Sequence, residues 1–337
     1  MIRIIEIQDF LVQSQPYLTI DVRSPAEYLK GHIPHAVSLP LFTDEERAII
    51  GTLYKQKGKN DAIEKGLEIV GPKMVEFVRY AKTNVRDNKI YVHCWRGGMR
   101  SGSMAWLFDM LGYEVYTLKK GYKAYRNHVL EELAKPAPYT IIGGRTGSGK
   151  TALLHQLRAM GEQIIDFEGI AHHKGSAFGA LGQEPQPTTE QFENLVHLAL
   201  SKLDRSRRIW LEDESKNIGS CYIPNVLWAL MRPAPLVVVE LPFEVRVQRL
   251  VNDYGTEGLT GLEECIKKIE RRLGNEAMKE ALLALSKGDF ASVARITLRY
   301  YDQAYDYGLT VKESKQITKL PFDTDDMEVM GKGFILC

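Results

Sequence analysis

Eight consecutive residues, Gly144-Arg145-Thr146-Gly147-Ser148-Gly149-Lys150-Thr151, fit the pattern G-x-x-x-x-G-K-[ST] and constrain the fold more than any other stretch. A β-branched run, Tyr139-Thr140-Ile141-Ile142, precedes them, and Ala152-Leu153-Leu154-His155-Gln156-Leu157, with helical spacing, follows. Strand, glycine loop and helix in that order make a P-loop. Its glycines let the backbone turn tightly, so that N–H groups face an anion, and the helix N-terminus adds partial positive charge. All eight residues are therefore expected to hold a phosphate group. Lys150 neutralises its terminal oxygens, and Thr151 is placed to hold a magnesium ion.

A length of 337 residues suggests two domains or one large one. No apolar run is long enough to span a membrane, and Met1-Ile2-Arg3-Ile4-Ile5-Glu6 has no signal-peptide layout. The formal net charge of +1 excludes a global basic field, so any nucleic acid must be met by local patches. Cys94, Cys221, Cys265 and Cys337 are far apart with no C-x-x-C pair, which argues against a zinc knuckle or a disulfide framework. The expectation is a reduced, cytoplasmic protein with no membrane partner.

The first half alternates short strands and helices. Leu18-Thr19-Ile20-Asp21-Val22 reads as a strand, and Ser24, Pro25 and Glu27 make a capping box for the next helix. Gly31 to Ala36 is a turn, and Val37 to Pro40 a short strand. From Thr43 to about Thr83 the pattern is helical and amphipathic, broken by a charged loop at Lys55 to Asn60. Lys89-Ile90-Tyr91-Val92-His93 is a strand that delivers Cys94, followed by Trp95-Arg96-Gly97-Gly98-Met99-Arg100-Ser101-Gly102, with a helix resuming at Ser103. A cysteine between a strand end and a helix N-terminus, with Arg96 and Arg100 beside it, is in surroundings that favour the thiolate, the nucleophilic form. Cys94, Arg96 and Arg100 are the candidate catalytic residues.

These stretches resemble the rhodanese-like fold over roughly residues 1 to 133. The resemblance rests on Asp21-Val22-Arg23 with Glu27, on Gly31-His32-Ile33-Pro34-His35-Ala36, on the cysteine loop and on Leu118-Lys119-Lys120-Gly121-Tyr122. It implies a loop cysteine that carries sulfur or selenium. Five residues separate Cys94 from Arg100, where sulfurtransferases of this fold usually place four. The longer loop is shared with phosphatases and widens the ring of N–H donors to suit a tetrahedral oxyanion.

Ala134-Lys135-Pro136-Ala137-Pro138 forms a stiff linker, which gives domains at 1–133 and 139–337. The second reads as an α/β domain of nucleotide-kinase type. Its further strands are Gln163 to Asp166, Arg208 to Glu214 and Pro235 to Leu241, with the ligand at their carboxyl ends. Glu212 and Asp213 both qualify as the acid that positions magnesium or water. The stretch 166–179, with paired histidines, a lysine and glycines, suits a loop closing over a polyanion. Local basic groups at Arg205, Arg207 and Arg208 and at Lys267, Lys268, Arg271 and Arg272, with Arg299 to Asp302 and Tyr305, are candidate RNA contacts or solvated faces.

Taken together, H-C-W-R-G-G-M-R-S at 93–101, G-G-R-T-G-S-G-K-T at 143–151, D-F-E-G-I-A-H-H-K-G-S-A-F-G at 166–179 and W-L-E-D-E-S-K-N-I-G at 210–219 resemble the tRNA 2-selenouridine synthase family. The resemblance spans nearly the whole chain. It implies a transferase acting on the wobble 2-thiouridine of tRNA. Selenophosphate and geranyl diphosphate are its substrates, an S-geranyl nucleoside its intermediate, and a selenophosphate-supplying enzyme a partner. The residues alone leave other classes open: a phosphatase using Cys94 and Arg100, a sulfurtransferase fused to a P-loop ATPase or kinase, and an RNA-binding module switched by nucleotide.

Overall fold

The computed structural model describes residues 1–254 and 259–337. The chain separates into two compact units, Met1–Glu132 and Leu133–Cys337. In the first the elements run β1 (Ile2–Ile5), α1 (Ile7–Gln13), β2 (Leu18–Asp21), α2 (Pro25–Lys30), β3 (Val37–Ser38), α3 (Asp44–Gln56), α4 (Lys59–Val70), α5 (Met74–Asn84), β4 (Lys89–His93), α6 (Met99–Met110), β5 (Glu114–Leu118) and α7 (Gly121–Leu133). The strands form one parallel sheet in the order β1-β5-β4-β2-β3. Strand β4 is buried from Ile90 to His93 because helices cover both faces of a central parallel strand. The edge strand β1 is exposed at three of its four residues. The expected capping box forms, with Glu27 accepting the Ser24 N–H at 3.1 Å, and a second one opens α3, where Glu46 accepts the Thr43 N–H at 2.8 Å. The expected loop at Lys55 to Asn60 shrinks to Lys57-Gly58, where Gly58 ends one helix and opens the next.

The second unit continues with β6 (Tyr139–Gly144), α8 (Lys150–Ala159), β7 (Gln163–Ile165), α9 (Phe167–Ala171), α10 (Thr189–Leu200), β8 (Ile209–Glu212), β9 (Asn217–Ile218), β10 (Cys221–Tyr222), α11 (Asn225–Met231) and β11 (Leu236–Glu240). After these come α12 (Phe243–Tyr254), α13 (Leu259–Lys268), α14 (Glu270–Leu273), α15 (Asn275–Ser286), α16 (Phe290–Thr310), β12 (Ile317–Pro321) and α17 (Met327–Ile335). Its main sheet is parallel in the order β12-β11-β6-β8-β7. The chain leaves β6 toward one edge and later returns to its other side. That reversal opens a crevice at the carboxyl ends of the central strands. One core packs Ile142, Leu153, Trp210, Val239 and Phe334 around this sheet. A second core, built mainly from helices, gathers Leu262, Ile266, Ala281 and Leu285 around Phe178 of the turn at 177–180. Each unit is thus an α/β layer structure, as expected from alternating strand and helix patterns.

Candidate functional sites

In the first unit, β4 delivers Cys94 to the floor of the loop 94–98. Helix α6 begins at Met99 rather than at Ser103, because Gly98 serves as its N-cap. Cys94 is only 3% exposed, and its Sγ lies 3.2 Å from Ser101 Oγ in the first turn of α6. The loop is seated on the start of α7, where Tyr122 N–H donates to Cys94 O at 2.8 Å and Lys123 N–H to Trp95 O at 3.0 Å. Gly121 has φ +58°, and a Cβ there would stand 2.2 Å from Cys94 O, so no other residue allows this approach.

The arginines divide. Arg96 is exposed on the loop. Arg100 does not point freely at the loop centre: it donates to both oxygens of Glu27, at 2.5 and 3.2 Å. Burial works against ionisation of Glu27, but Arg100 outweighs it and holds the carboxyl below its ordinary range. The same Glu27 caps α2, so one carboxylate ties that helix to the loop. Behind it Arg23, 1% exposed, donates to both Asp21 oxygens and at 2.7 Å to Gly31 O, while its guanidinium lies 3.7 Å from the Tyr122 ring centre. His93, fully enclosed, is pushed down to about 4 by burial, against the pull of Asp21. The stretch quoted for the rhodanese resemblance is thus mostly a buried scaffold for the loop.

In the second unit, the P-loop joins β6 to α8. Gly149 adopts φ +74°, and a Cβ there would meet the Arg249 guanidinium carbon at 2.8 Å. Lys150 Nζ donates to Gly144 O at 3.0 Å, folded back over the loop mouth. Arg145 is engaged outside the loop with Asp306 at 2.9 Å. Of the two acids left open by the sequence, Glu212 ends β8 beside the loop, with its Oε1 2.6 Å from Thr151 Oγ1. Asp213 turns away to Lys312.

Two further carboxyls complete a cluster. Glu168 reaches Thr151 Oγ1 at 2.8 Å and hydrogen-bonds Glu214. One hydroxyl has one proton, so Thr151 can donate to only one of its two carboxyl neighbours, and the other must itself carry a proton. Burial is the chief cause of raised pKa values at all three, and repulsion adds to it, from the other cluster carboxylates at Glu212 and Glu214 and from Asp166 at Glu168. Glu212 is pushed well up, Glu214 to about 8, and at Glu168 Lys150 partly offsets the rise. Glu212 Oε2 is buried with no partner. These hard oxygens beside Thr151 suit magnesium.

A raised carboxyl binds its proton more tightly in the folded than in the unfolded chain, so stability is fully present below about pH 4.5 and is lost as pH rises to about 8. Relative to Glu214→Gln, the ligand-free chain is expected to lose on the order of 5 °C in melting temperature across that interval. Thermal scans of both proteins in parallel, at equal ionic strength, check it. Curves that stay parallel would rule out a shared proton at Glu214.

The stretch 166–179 lies on this cluster. Its first part is α9, capped by Asp166, and Gly175 sits against Glu214 and Glu168 so closely that a Cβ would meet their oxygens at 2.4 and 2.7 Å. His172 faces Pro185 O, and His173 packs between Gly179 and Gly219, so the paired histidines diverge. Sequence reasoning missed Arg246 and Arg249, which read as the polar side of an amphipathic helix. Arg246 donates to Thr146 O at 3.0 Å and to both oxygens of Asp302, bracing the P-loop from α12. The aromatic run 300–305 is part of α16. Asp302 serves that brace, and Tyr301 and Tyr305 are raised by burial, which favours the half-buried helix over an RNA-stacking surface.

Comparison with known proteins adds to this geometry. A family model described as the tRNA 2-selenouridine synthase AAA domain matches residues 137–330, and one described as the rhodanese-like domain matches residues 6–128. A curated tRNA 2-selenouridine synthase of Sulfurovum sp. is 36% identical, covering 88% of this chain and 90% of that one. One of Shewanella denitrificans is 34% identical, with 93% and 94% covered. A solved N-terminal domain of a putative ATP/GTP binding protein from Clostridium difficile 630 is 41% identical over 38% of this chain and 98% of that one, at a TM-score of 0.34.

Proposed function

Because the chain belongs to the tRNA 2-selenouridine synthase family, we propose that it replaces the sulfur of a wobble 2-thiouridine in tRNA by selenium from selenophosphate, through an S-geranyl intermediate made from geranyl diphosphate. The observation that supports this reading is the presence in one chain of two strand-to-helix loops of different chemistry. One is floored by a thiol, and the other is a P-loop beside clustered carboxyls. The loops are assigned to domains 1–133 and 139–337, joined by the linker 134–138.

In the first half-reaction the P-loop amides and Lys150 hold the diphosphate. The thiouridine sulfur attacks carbon 1 of the geranyl group, the carbon–oxygen bond breaks, diphosphate leaves, and the nucleobase N–H loses its proton. Gly144, Arg145, Thr146, Gly147, Ser148, Gly149, Lys150 and Thr151 are the binding residues. Thr151 with Glu212 would hold a magnesium ion, which supplies charge neutralisation to the diphosphate. In the second half-reaction the loop of Cys94 and Arg96 holds the phosphate of selenophosphate, with Arg100 positioning the loop through Glu27. Selenium attacks carbon 2, the carbon–sulfur bond breaks, and geranylthiolate departs and takes a proton from Cys94, which regains one from selenophosphate as its selenium forms the new bond. Water then cleaves the phosphorus–selenium bond. Geranylation makes this possible because a thioether sulfur leaves far more readily than a thiocarbonyl sulfur. The substrate is an RNA of the cytoplasm, and a separate enzyme supplies selenophosphate.

Nucleoside mass spectrometry tests the reading. Pure protein is given 2-thiouridine-bearing tRNA, geranyl diphosphate and selenophosphate, each small molecule omitted in turn. The expected masses are 2-selenouridine with both present and the S-geranyl nucleoside without selenophosphate. Unchanged 2-thiouridine in every reaction, with phosphate released from a phosphate ester, would replace the reading by the phosphatase.

A further inference from the structure

Helices α3 and α4 form a hairpin that the chemistry above does not use. Its base is tied to the thiol site: Asp44, the first residue of α3, accepts the Ala26 N–H at 3.0 Å, beside the Glu27 that holds Arg100. Phe42 and Ile50 join the core of the first unit at that base. Of residues 52–65 only Ala62 is buried, so the far half of the hairpin stands clear of the sheet. A rise of 1.5 Å per residue carries the 13-residue α3 about 18 Å from base to tip.

The tip reads Tyr54-Lys55-Gln56-Lys57-Gly58-Lys59-Asn60. Every side chain in it other than that of glycine can donate a hydrogen bond, and all six are exposed. Among the described residues none of the six makes an ion pair or a side-chain hydrogen bond, whereas Lys65, farther along α4, pairs with Glu68. Three lysines stand here against the single Asp61 of the first turn of α4, a local positive excess in a chain whose net charge is +1. The other basic groups marked in the sequence are differently placed. Arg205 and Arg207 donate to Lys135 O and Gly161 O, both at 3.2 Å, Arg208 pairs with Glu162, and Lys267 pairs with Glu263. Lys268, Arg271 and Arg272 share their stretch with Glu263, Glu264 and Glu270.

Lysines on flexible stems meet phosphates as point charges, and Tyr, Gln and Asn side chains donate to the same oxygens without reading a base. A tip of this composition fits a phosphodiester backbone. Its distance from the base of α3 separates it from the thiol loop, so it cannot touch the nucleotide that reacts there. We infer that the tip of the α3–α4 hairpin is a remote anchor for RNA, which holds backbone phosphates of the stem that carries the target loop while the target nucleotide lies at Cys94. The inference rests on the proposed function, and it adds a contact that supplies affinity and takes no part in the chemistry.

RNA binding by the full chain, measured over a range of salt concentrations, tests it. The combined variant Lys55→Gln, Lys57→Gln, Lys59→Gln removes three phosphate contacts. Each contact contributes about 0.7–0.9 to the slope of log K against log salt, so the slope is expected to flatten by about 2 and affinity for 2-thiouridine-bearing tRNA to fall at least about tenfold at low salt. KM for that tRNA is expected to rise by a similar factor with kcat within about twofold, because the anchor holds substrate and transition state equally. The melting temperature should stay that of the wild type. An oligonucleotide with the same loop and no stem should bind both proteins equally. The charge-matched variant Lys279→Gln, Lys287→Gln, Lys315→Gln, at exposed positions of the second unit, should leave the slope unchanged. An unchanged slope and affinity in the tip variant, with wild-type modification of tRNA intact, overturns the anchor and leaves the proposed function standing. A loss matched by the charge-matched variant also overturns the anchor, since net charge alone then accounts for it. An equal loss on the stemless oligonucleotide overturns the assignment to the stem. A wild-type chain that neither binds nor modifies the tRNA overturns both readings.

Discussion

Lys150→Ala is expected to lower formation of the S-geranyl nucleoside by about 10³-fold or more, while selenation of tRNA that already carries the S-geranyl group continues near the normal rate. Charge develops on the diphosphate as the carbon–oxygen bond breaks, and a positioned donor at such a site is worth about 10²–10³ in rate even without a formal charge. Lys150 stands at the N-terminus of α8 with its amino group at the loop mouth, 3.0 Å from Gly144 O. The other cations nearby are occupied: Arg145 pairs with Asp306, Arg246 with Asp302, and Lys312 with Asp213. Arg249, whose guanidinium lies over Gly149, is likewise paired, with Asp325. Lys150→Arg is not expected to restore the rate, because a planar fork on a longer stem does not replace a compact ammonium in a closed loop. The loop backbone does not depend on this side chain, so a melting temperature near that of the wild type should accompany the loss. Geranylation within tenfold of wild type would remove the P-loop from the first half-reaction.

The parts of both sites that lie on consecutive residues were legible in the sequence. The P-loop is one such part, since its strand, glycines and helix start are set by local backbone demands. The strand bearing Cys94 is another: a central parallel strand is buried on both faces and reads as a continuous apolar run. The start of α6 was misplaced because Gly97-Gly98 looks like a breaker, whereas Gly98 is the cap itself. Contacts between distant segments left no signal. Arg100 meets Glu27 across 73 positions, and Arg246 meets Asp302 across 56. The carboxyl cluster was half visible: Glu212 was named with Asp213, but only the structure brings Glu168 and Glu214 beside it.

The loop of Cys94 is expected to give the mirror image of the Lys150 result. Cys94→Ala should lower 2-selenouridine formation by about 10²–10⁴-fold, the range for loss of a positioned proton donor, and the S-geranyl nucleoside should accumulate. Cys94→Ser is expected to fail similarly, because a hydroxyl is a much weaker acid than a thiol. Folding should survive both changes. The loop is fixed by backbone hydrogen bonds to the start of α7 and by the Glu27–Arg100 pair, none of which uses the thiol. The measurement is the time course of both nucleosides after digestion of the tRNA, with melting temperature as a control. Normal 2-selenouridine formation by Cys94→Ala would take the thiol out of the chemistry and leave the loop as a phosphate cradle alone. Mixing the two variants makes the division of labour explicit. If the S-geranyl tRNA is released between steps, Lys150→Ala and Cys94→Ala together should restore selenation that neither performs alone. If the intermediate passes within one molecule, the mixture should remain inactive while each half-reaction still runs on its own substrate.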